Sequence, residues 1–289
     1  MGANMTLRLL RGDHEVVAFD VDPKAVDEAS SNGAAAAASL EELVENLEAP
    51  RIVWTMVPAG HITEQTIDRL GELLAEGDTI IDGGNSRHTD SVARGERLAE
   101  SGIAFLDAGT SGGIWGLDAG YCLMVGGDGD AFAKAEPIFS TLAPENGYAH
   151  VGPSGAGHFT KMVHNGIEYA LMQSYGEGFE LLHGSDYELD VAQVAELWKH
   201  GSVVRSWLLD LAASALGSDP DLDSVEPYIE DSGEGRWTIT HAIDNAIPVP
   251  TIATALFARF ASRQDASFAG KVIAALRKEF GGHPVKAPE

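Results

Sequence analysis

Up to about residue 152, short β-branched or apolar runs alternate with amphipathic stretches, and beyond Gly152 strand signals nearly vanish. Alternation of that kind is the pattern of an α/β parallel sheet, because each strand must be followed by a crossover long enough to return the chain to the same edge. HEVVAFDVDP predicts a strand over 14–19 and a helix from Pro23; RIVWTMV predicts a strand over 51–57. DTIIDGG and IAFLDAG predict strands over 78–84 and 103–109, with crossover helices over 60–76 and 87–101. The expected fold is therefore a Rossmann-like, doubly wound, mostly parallel α/β domain over 1–152, followed by an all-helical domain over 153–289. Helical periods run over 154–184, 190–200, 203–216, 238–246, 250–262 and 265–280, and VGPSGAG at 151–157 punctuates the boundary like a hinge. SDPDLDSVEP at 218–227 reads as a solvated acidic loop, and the short alanine run 34–38 is assigned no function.

In open parallel sheets the carboxyl ends of strands carry ligands, and Asp20, Val57, Asn85 and Ser111 fall at such ends. An acid ending the second strand of a nucleotide-binding unit accepts hydrogen bonds from ribose hydroxyls and repels an added 2′-phosphate, so Asp20 argues for NAD over NADP. Asp22 before Pro23 also has the form of a helix cap, a role compatible with that contact. Ahead of it, Met1-Gly2-Ala3-Asn4-Met5 leads directly into the helix TLRLLRGDH. The same residues fit a myristoylation pattern through Gly2 and Thr6, but a nucleotide-binding helix start explains them better.

The stretch GHFTKMVHNGIEYALM at 157–172 places Lys161, His164, Asn165 and Glu168 at i, i+3, i+4 and i+7, about 20° short of two full turns. A solvated Lys/Glu face would favour i,i+3 or i,i+4 spacing, and the flanking Phe159, Met162, Val163 and Ile167 predict burial, so a functional row and a structural one both fit. His164 and Glu168 are spaced for a metal, yet two ligands without a third nearby argue against one.

Charge narrows the partners. With Asp+Glu 44 against Lys+Arg 19 and a formal net charge of −25, nucleic acid and anionic membrane are poor partners, and an anionic substrate needs a local cationic cluster. Such acidity fits adaptation to high salt, with a merely acidic soluble protein as the alternative. One cysteine, Cys122, excludes an internal disulfide and points to a reducing, cytoplasmic compartment; no transmembrane-length apolar segment or secretory leader is present.

DGGNS at 82–86, GTSGG at 109–113, KMVHNGIEY at 161–169 and GEGRWT at 233–238, in this order, resemble 6-phosphogluconate dehydrogenase in its short form, over almost the whole chain. The family leads one to expect a strand and GLGRMGANM at the start, of which MGANM is present, so about ten residues including the first strand are expected to be absent. The resemblance implies oxidative decarboxylation of 6-phosphogluconate to ribulose 5-phosphate and carbon dioxide in the pentose phosphate pathway, with NAD, or alternatively NADP, and no metal.

By the same resemblance Lys161 is the base at carbon 3, which a lysine can be only when neutral, and then stabilises the developing enolate oxygen. Glu168 is the acid that protonates the enediol at carbon 1. Asn85, Ser111, Gly112, Gly113, His164 and Asn165 position the substrate; Tyr169 and Arg259 hold its phosphate; Arg277 and His283 are donated by a neighbouring subunit, making a homodimer the active unit. Gly2, Ala3, Asn4, Asp20, Val57, Pro58 and Asn85 would meet the cofactor. Ser232 and Glu234 depart from the long form's phosphate-binding lysine and threonine, and Arg236 is the expected substitute. Another β-hydroxyacid dehydrogenase is the near alternative, disfavoured by Glu168; a silent NAD-binding scaffold is the distant one.

Overall fold

Asp82 ends a four-residue strand in which every side chain is buried, the second strand of a five-stranded sheet. The computed structural model describes residues 1–286. The chain divides into two units, Met1–His164 and the part from Asn165 onward. In the first, helix α1 (Gly2–Arg11) precedes β1 (Val17–Ala18), α2 (Pro23–Ser31), β2 (Ala35–Ala36), α3 (Leu40–Glu45) and β3 (Ile52–Thr55). There follow α4 (His61–Leu73), β4 (Thr79–Asp82), α5 (His88–Ala99), β5 (Ala104–Ser111), a 3-10 turn at Gly113–Trp115, α6 (Gly116–Ala119), β6 (Cys122–Gly127), α7 (Gly129–Leu142) and β7 (Tyr148–Gly152).

Strands β3 to β7 form one sheet in sequence order, parallel except for the antiparallel pairing of β5 with β6, while β1 and β2 form a separate parallel pair. The period of two is visible in its packing. Ile81 and Leu106 enter one core with Val125, Phe139 and Met5 of α1, whereas their neighbours Ile80 and Phe105 enter the opposite core with Val53, Ile67, Leu70 and Leu98. Each such side chain contributes about 1.5–3 kcal/mol by leaving water, so a one-residue slip of β4 or β5 would exchange both cores at once.

Several expected boundaries move. The strand expected over 14–19 shortens to Val17–Ala18, because its partner is the two-residue β2 in the alanine run. That over 51–57 ends at Thr55, ahead of Pro58, which has no N–H to give. That over 78–84 ends at Asp82, where Gly83 and Gly84 leave the ladder, and that over 103–109 extends to Ser111 through the β6 pairing. Asp22 does cap α2, accepting from the Lys24 N–H with Pro23 in the first turn.

Helix α8 (Ala156–His183) begins in the first unit and continues into the second. The second unit is otherwise α9 (Val191–Trp198), α10 (Trp207–Ser218), α11 (Glu234–Asp244), α12 (Pro250–Ala261) and α13 (Phe268–Gly281). Asp190, Ser206 and Ser267 cap α9, α10 and α13 through their side chains. α11 starts four residues before the expected 238, because Gly233 at φ 103° turns the chain into it. One small core joins Val191, Ala195, Ala213 and Leu216; another joins Tyr169, Ala255 and Leu256. α13 buries none of its residues, leaving Phe268, Val272, Leu276 and Phe280 exposed at i, i+4, i+8 and i+12.

Candidate active site

Because β3, β4 and β5 are parallel neighbours, their carboxyl ends lie side by side on one edge of the sheet. At the end of β3, Val57 and Pro58 enter a turn closed by the buried Thr63, whose hydroxyl donates to the Pro58 carbonyl at 2.8 Å. The start of α1 reaches this turn: a Cβ on Gly2 would lie 3.7 Å from Met56 Cβ. No side chain caps α1, so the N–H groups of Gly2, Ala3 and Asn4 have no intrahelical acceptor. Asp20 is exposed two residues past β1, where its Oδ1 accepts from the Asp22 N–H at 2.9 Å.

At the end of β4, the Asp82 carboxylate organises the loop that carries the exposed Asn85. It accepts from the Gly84 N–H at 3.1 Å, the Ser86 hydroxyl at 2.6 Å and Arg94 Nη1 at 3.1 Å. Arg94, 2% exposed on α5, also donates to Ser86 Oγ at 3.1 Å and to Glu64 Oε2 at 2.8 Å. Burial pushes the Glu64 carboxyl up, but the Arg94 and Arg97 guanidiniums outweigh it and hold the group below the ordinary carboxylate range.

At the end of β5, Gly112 and Gly113 adopt φ 140° and 54°, conformations that glycine allows, and carry the loop away from Ser111. The first turns of α8 lie against β5 and β6 through backbone contacts. A Cβ on Gly157 would overlap the Asp107 carbonyl, and one on Gly109 would stand 2.5 Å from Lys161 Cβ. Lys161 is thus seated on the β5 backbone, 8% exposed. Its helix is anchored from across the sheet. The fully buried Asp107 carboxylate accepts from the N–H groups of Gly155 at 2.7 Å and His158 at 2.8 Å, and the Ser91 hydroxyl lies 2.7 Å from His158 Nδ1. Burial pushes the Asp107 carboxyl up, against the lowering by His158 and these N–H donors. His164, one turn beyond Lys161, reaches Ser111 Oγ at 3.5 Å through Nε2.

In the second unit, α8 continues with Asn165, 8% exposed, the half-buried Glu168 and Tyr169 at 5%. Ile167 is 51% exposed, unlike the burial expected of it, because it projects away from the row and the core. The Arg259 guanidinium lies 3.5 Å from the Tyr169 ring centroid and donates Nη1 to the Glu230 carbonyl at 2.8 Å. Arg236, the expected substitute phosphate ligand, is instead engaged: Nε and Nη2 bind Asp231 at 2.7 and 3.0 Å, with Arg263 on the same carboxylate at 2.8 Å. The two guanidiniums hold the Asp231 carboxyl down at about 2. Ser232 donates to Glu234 Oε2 at 2.6 Å, so the departure from the long form closes on itself. Arg277 and His283 are exposed, the latter's N–H donating to the Arg277 carbonyl at 3.4 Å across the end of α13.

The structure therefore gathers Gly2, Ala3, Asn4, Val57 and Pro58 at the end of β3, and Lys161, His164 and Ser111 at the end of β5. Sequence reasoning missed the parts played by Asp82 and Arg94, which hold the loop after β4, and by Asp107 and His158, which anchor α8, although Asp82 lies inside DGGNS and His158 inside GHFTKMVHNGIEYALM. Among the described residues no group of three or more His, Cys, Asp or Glu side chains is placed to hold a metal, and no helix is long and apolar enough to cross a membrane.

A Rossmann-type sheet with an uncapped helix at its ligand edge, followed by a helical unit, defines a nicotinamide-dependent oxidoreductase. Residues 1–152 match the NAD binding domain of 6-phosphogluconate dehydrogenase, and 157–280 match the C-terminal domain of the same enzyme. The chain belongs to the 6-phosphogluconate dehydrogenase family. It is 46% identical to YqeC of Bacillus subtilis strain 168, over 98% of this chain and 95% of that one. It is 44% identical to the NAD(+)-dependent, decarboxylating 6-phosphogluconate dehydrogenase of Haloferax volcanii, over 99% of this chain and 95% of that one. The structure of Plasmodium falciparum 6-phosphogluconate dehydrogenase, studied in its apo form and with NADP+ and 6-phosphogluconate, aligns with a TM-score of 0.84 at 26% identity. That alignment covers all of this chain and 65% of the other. A Mycobacterium tuberculosis 3-hydroxyisobutyrate dehydrogenase shares the fold, with a TM-score of 0.72, 23% identity and 96% of each chain covered.

Proposed function

We propose that this chain oxidises and decarboxylates 6-phosphogluconate to ribulose 5-phosphate and carbon dioxide, with NAD as the preferred acceptor, in the pentose phosphate pathway. The observation that carries this reading is the buried Lys161, seated on Gly109 at the ligand edge and continued along α8 by His164, Asn165 and Glu168. Lys161 takes the proton of the carbon 3 hydroxyl, and the first carbons of its stem pack on Gly109 of β5. When the resulting β-keto acid loses carbon dioxide, protonated Lys161 stabilises the oxygen on which charge develops. Glu168 then delivers a proton to carbon 1 of the enediol. Asn85, Ser111, Gly112, Gly113, His164 and Asn165 orient carbons 1 to 4, and Tyr169 with Arg259 holds the phosphate. Arg236 turns its Nε–Nη2 edge to Asp231 rather than to a phosphate.

The uncapped start of α1 beside the Val57–Pro58 turn fits a dinucleotide pyrophosphate, and Asp20 fits its ribose. When bound, the dinucleotide would supply the nicotinamide that accepts the hydride; Gly2, Ala3, Asn4, Asp20, Val57, Pro58 and Asn85 would hold and orient the dinucleotide. Asp20→Ala is expected to raise the KM for NAD about tenfold, as loss of a charged hydrogen bond does. NADP should then be used relatively better, and an unchanged NAD-to-NADP ratio of kcat/KM would remove Asp20 from this role.

A homodimer is the proposed active unit, with Arg277 and His283 completing the partner's phosphate site. The apolar ridge of α13 supports it, since four exposed large side chains in one row need a cover. Leu276→Glu is expected to convert a sedimenting dimer into monomers and to abolish turnover; a monomeric but fully active variant would overturn the shared site. The whole reading is tested by following NADH formation from 6-phosphogluconate at low and high salt, with carbon dioxide release measured in parallel. Absence of both under all conditions would leave an NAD-binding scaffold as the alternative.

A further inference from the structure

Asn4, Arg8 and Arg11 stand at i, i+4 and i+7 on one face of α1, and all three reach the segment after Ser111. Asn4 Nδ2 donates to the Ile114 carbonyl at 3.4 Å, Arg8 Nη1 donates to the Leu117 carbonyl at 3.0 Å, and Arg11 Nη1 lies 4.0 Å from Asp118 Oδ1. The Arg11 pair is exposed and contributes little. Arg8 is different, because its Nε also donates to the Thr141 carbonyl at 2.9 Å in the last turn of α7. One half-buried guanidinium thus satisfies carbonyls of both α6 and α7, where helix dipoles favour a cation.

The segment it holds turns at glycines. Gly112, Gly113 and Gly120 take φ of 140°, 54° and 84°, and Gly116 has no room for a Cβ above the Tyr121 ring. Its floor is Tyr121, fully buried, and its side is fixed by the α1 donors. A shift of α1 along its axis would therefore carry the loop with it.

We propose that Arg8 is a positioning residue that couples the cofactor helix to the substrate loop, so that a dinucleotide docked at the start of α1 sets the height of Ser111, Gly112 and Gly113. This rests on the reading of α1 as the pyrophosphate site and of the Ser111–Gly113 loop as the substrate site. Arg8 touches neither ligand; it acts through the Leu117 and Thr141 carbonyls.

The test follows amide hydrogen exchange across 111–119 in the full chain, with and without NADH, in the wild type, Arg8→Met and Arg8→Lys. NADH is expected to slow exchange in the wild type about threefold or more, a change within reach of local opening equilibria. Arg8→Met should bind NADH within about twofold of wild type yet show no slowing, with Arg8→Lys between them because one donor can still be offered. In steady state, Arg8→Met should raise the KM for 6-phosphogluconate about tenfold with the KM for NAD unchanged, as misplacement of a substrate-holding loop does. Equal protection in wild type and Arg8→Met overturns the proposal. So does a wild type without NADH-dependent protection, or a parallel loss of NADH affinity and thermal stability in Arg8→Met. The exchange readout needs no turnover: protection with no activity on 6-phosphogluconate would refute the substrate reading and leave the coupling standing.

Discussion

Lys161→Ala is expected to lower the rate of NADH formation about 10³-fold, within the range lost when a positioned general base is removed. The expectation follows from its seat. The stem is packed on Gly109 and the residue is 8% exposed, so water has little room to replace the amine as base. Glu168→Ala should behave differently, since the carboxyl enters only after oxidation. In a single turnover, Glu168→Ala should still give a burst of NADH at a near wild-type rate, followed by product release slowed about 10²-fold. Lys161→Ala should give no burst. Equal and mild losses of oxidation and decarboxylation in the two variants would remove both assignments, and no burst in either would place both residues in the oxidation step.

The division between what was and was not legible in the sequence follows the range of the interactions. The Lys161 row is written in eight residues of one helix, and Asp22-Pro23 caps α2 through a contact two residues away, so both are readable locally. The buried strands β4 and β5 are short apolar runs closed by glycine, which a parallel sheet covered on both faces requires. β6 and β7 escape such reading: Cys122–Gly127 ends in two glycines and Tyr148–Gly152 leaves its middle side chains exposed, so neither alternates. Asp107 is illegible for another reason. It caps α8 from 48 and 51 residues upstream, and nothing in IAFLDAG says where its acceptors point. The engagement of Arg236 by Asp231 lies only five residues apart, yet its geometry depends on Gly233 at φ 103° bending the chain back.

Arg94→Met is expected to destabilise the first unit by about 3–5 kcal/mol, the usual cost of removing one partner from a buried ion pair. Asp82 and Arg94 are 1% and 2% exposed and lie 3.1 Å apart, so the variant would leave a carboxylate in the sheet with only Ser86 and Gly84 to solvate it. For a unit of this size that corresponds to a fall in Tm of roughly 10 °C or more. Asp82→Asn combined with Arg94→Met should lose less than the sum of the two single changes, because the second removes the charge that the first stranded. The acid limb of stability should also change. Glu64 is held below its ordinary range partly by Arg94, so its contribution is present above the unfolded pKa and disappears as pH falls through the folded one. Without Arg94 that part of the acid slope should flatten. Because the same carboxylate fixes the Gly83–Ser86 loop, the KM for 6-phosphogluconate should rise even at temperatures where the variant is folded. A loss below about 1 kcal/mol, within the range of an exposed pair, would mean that the Asp82–Arg94 contact is solvated in solution and does not hold Asn85 in place.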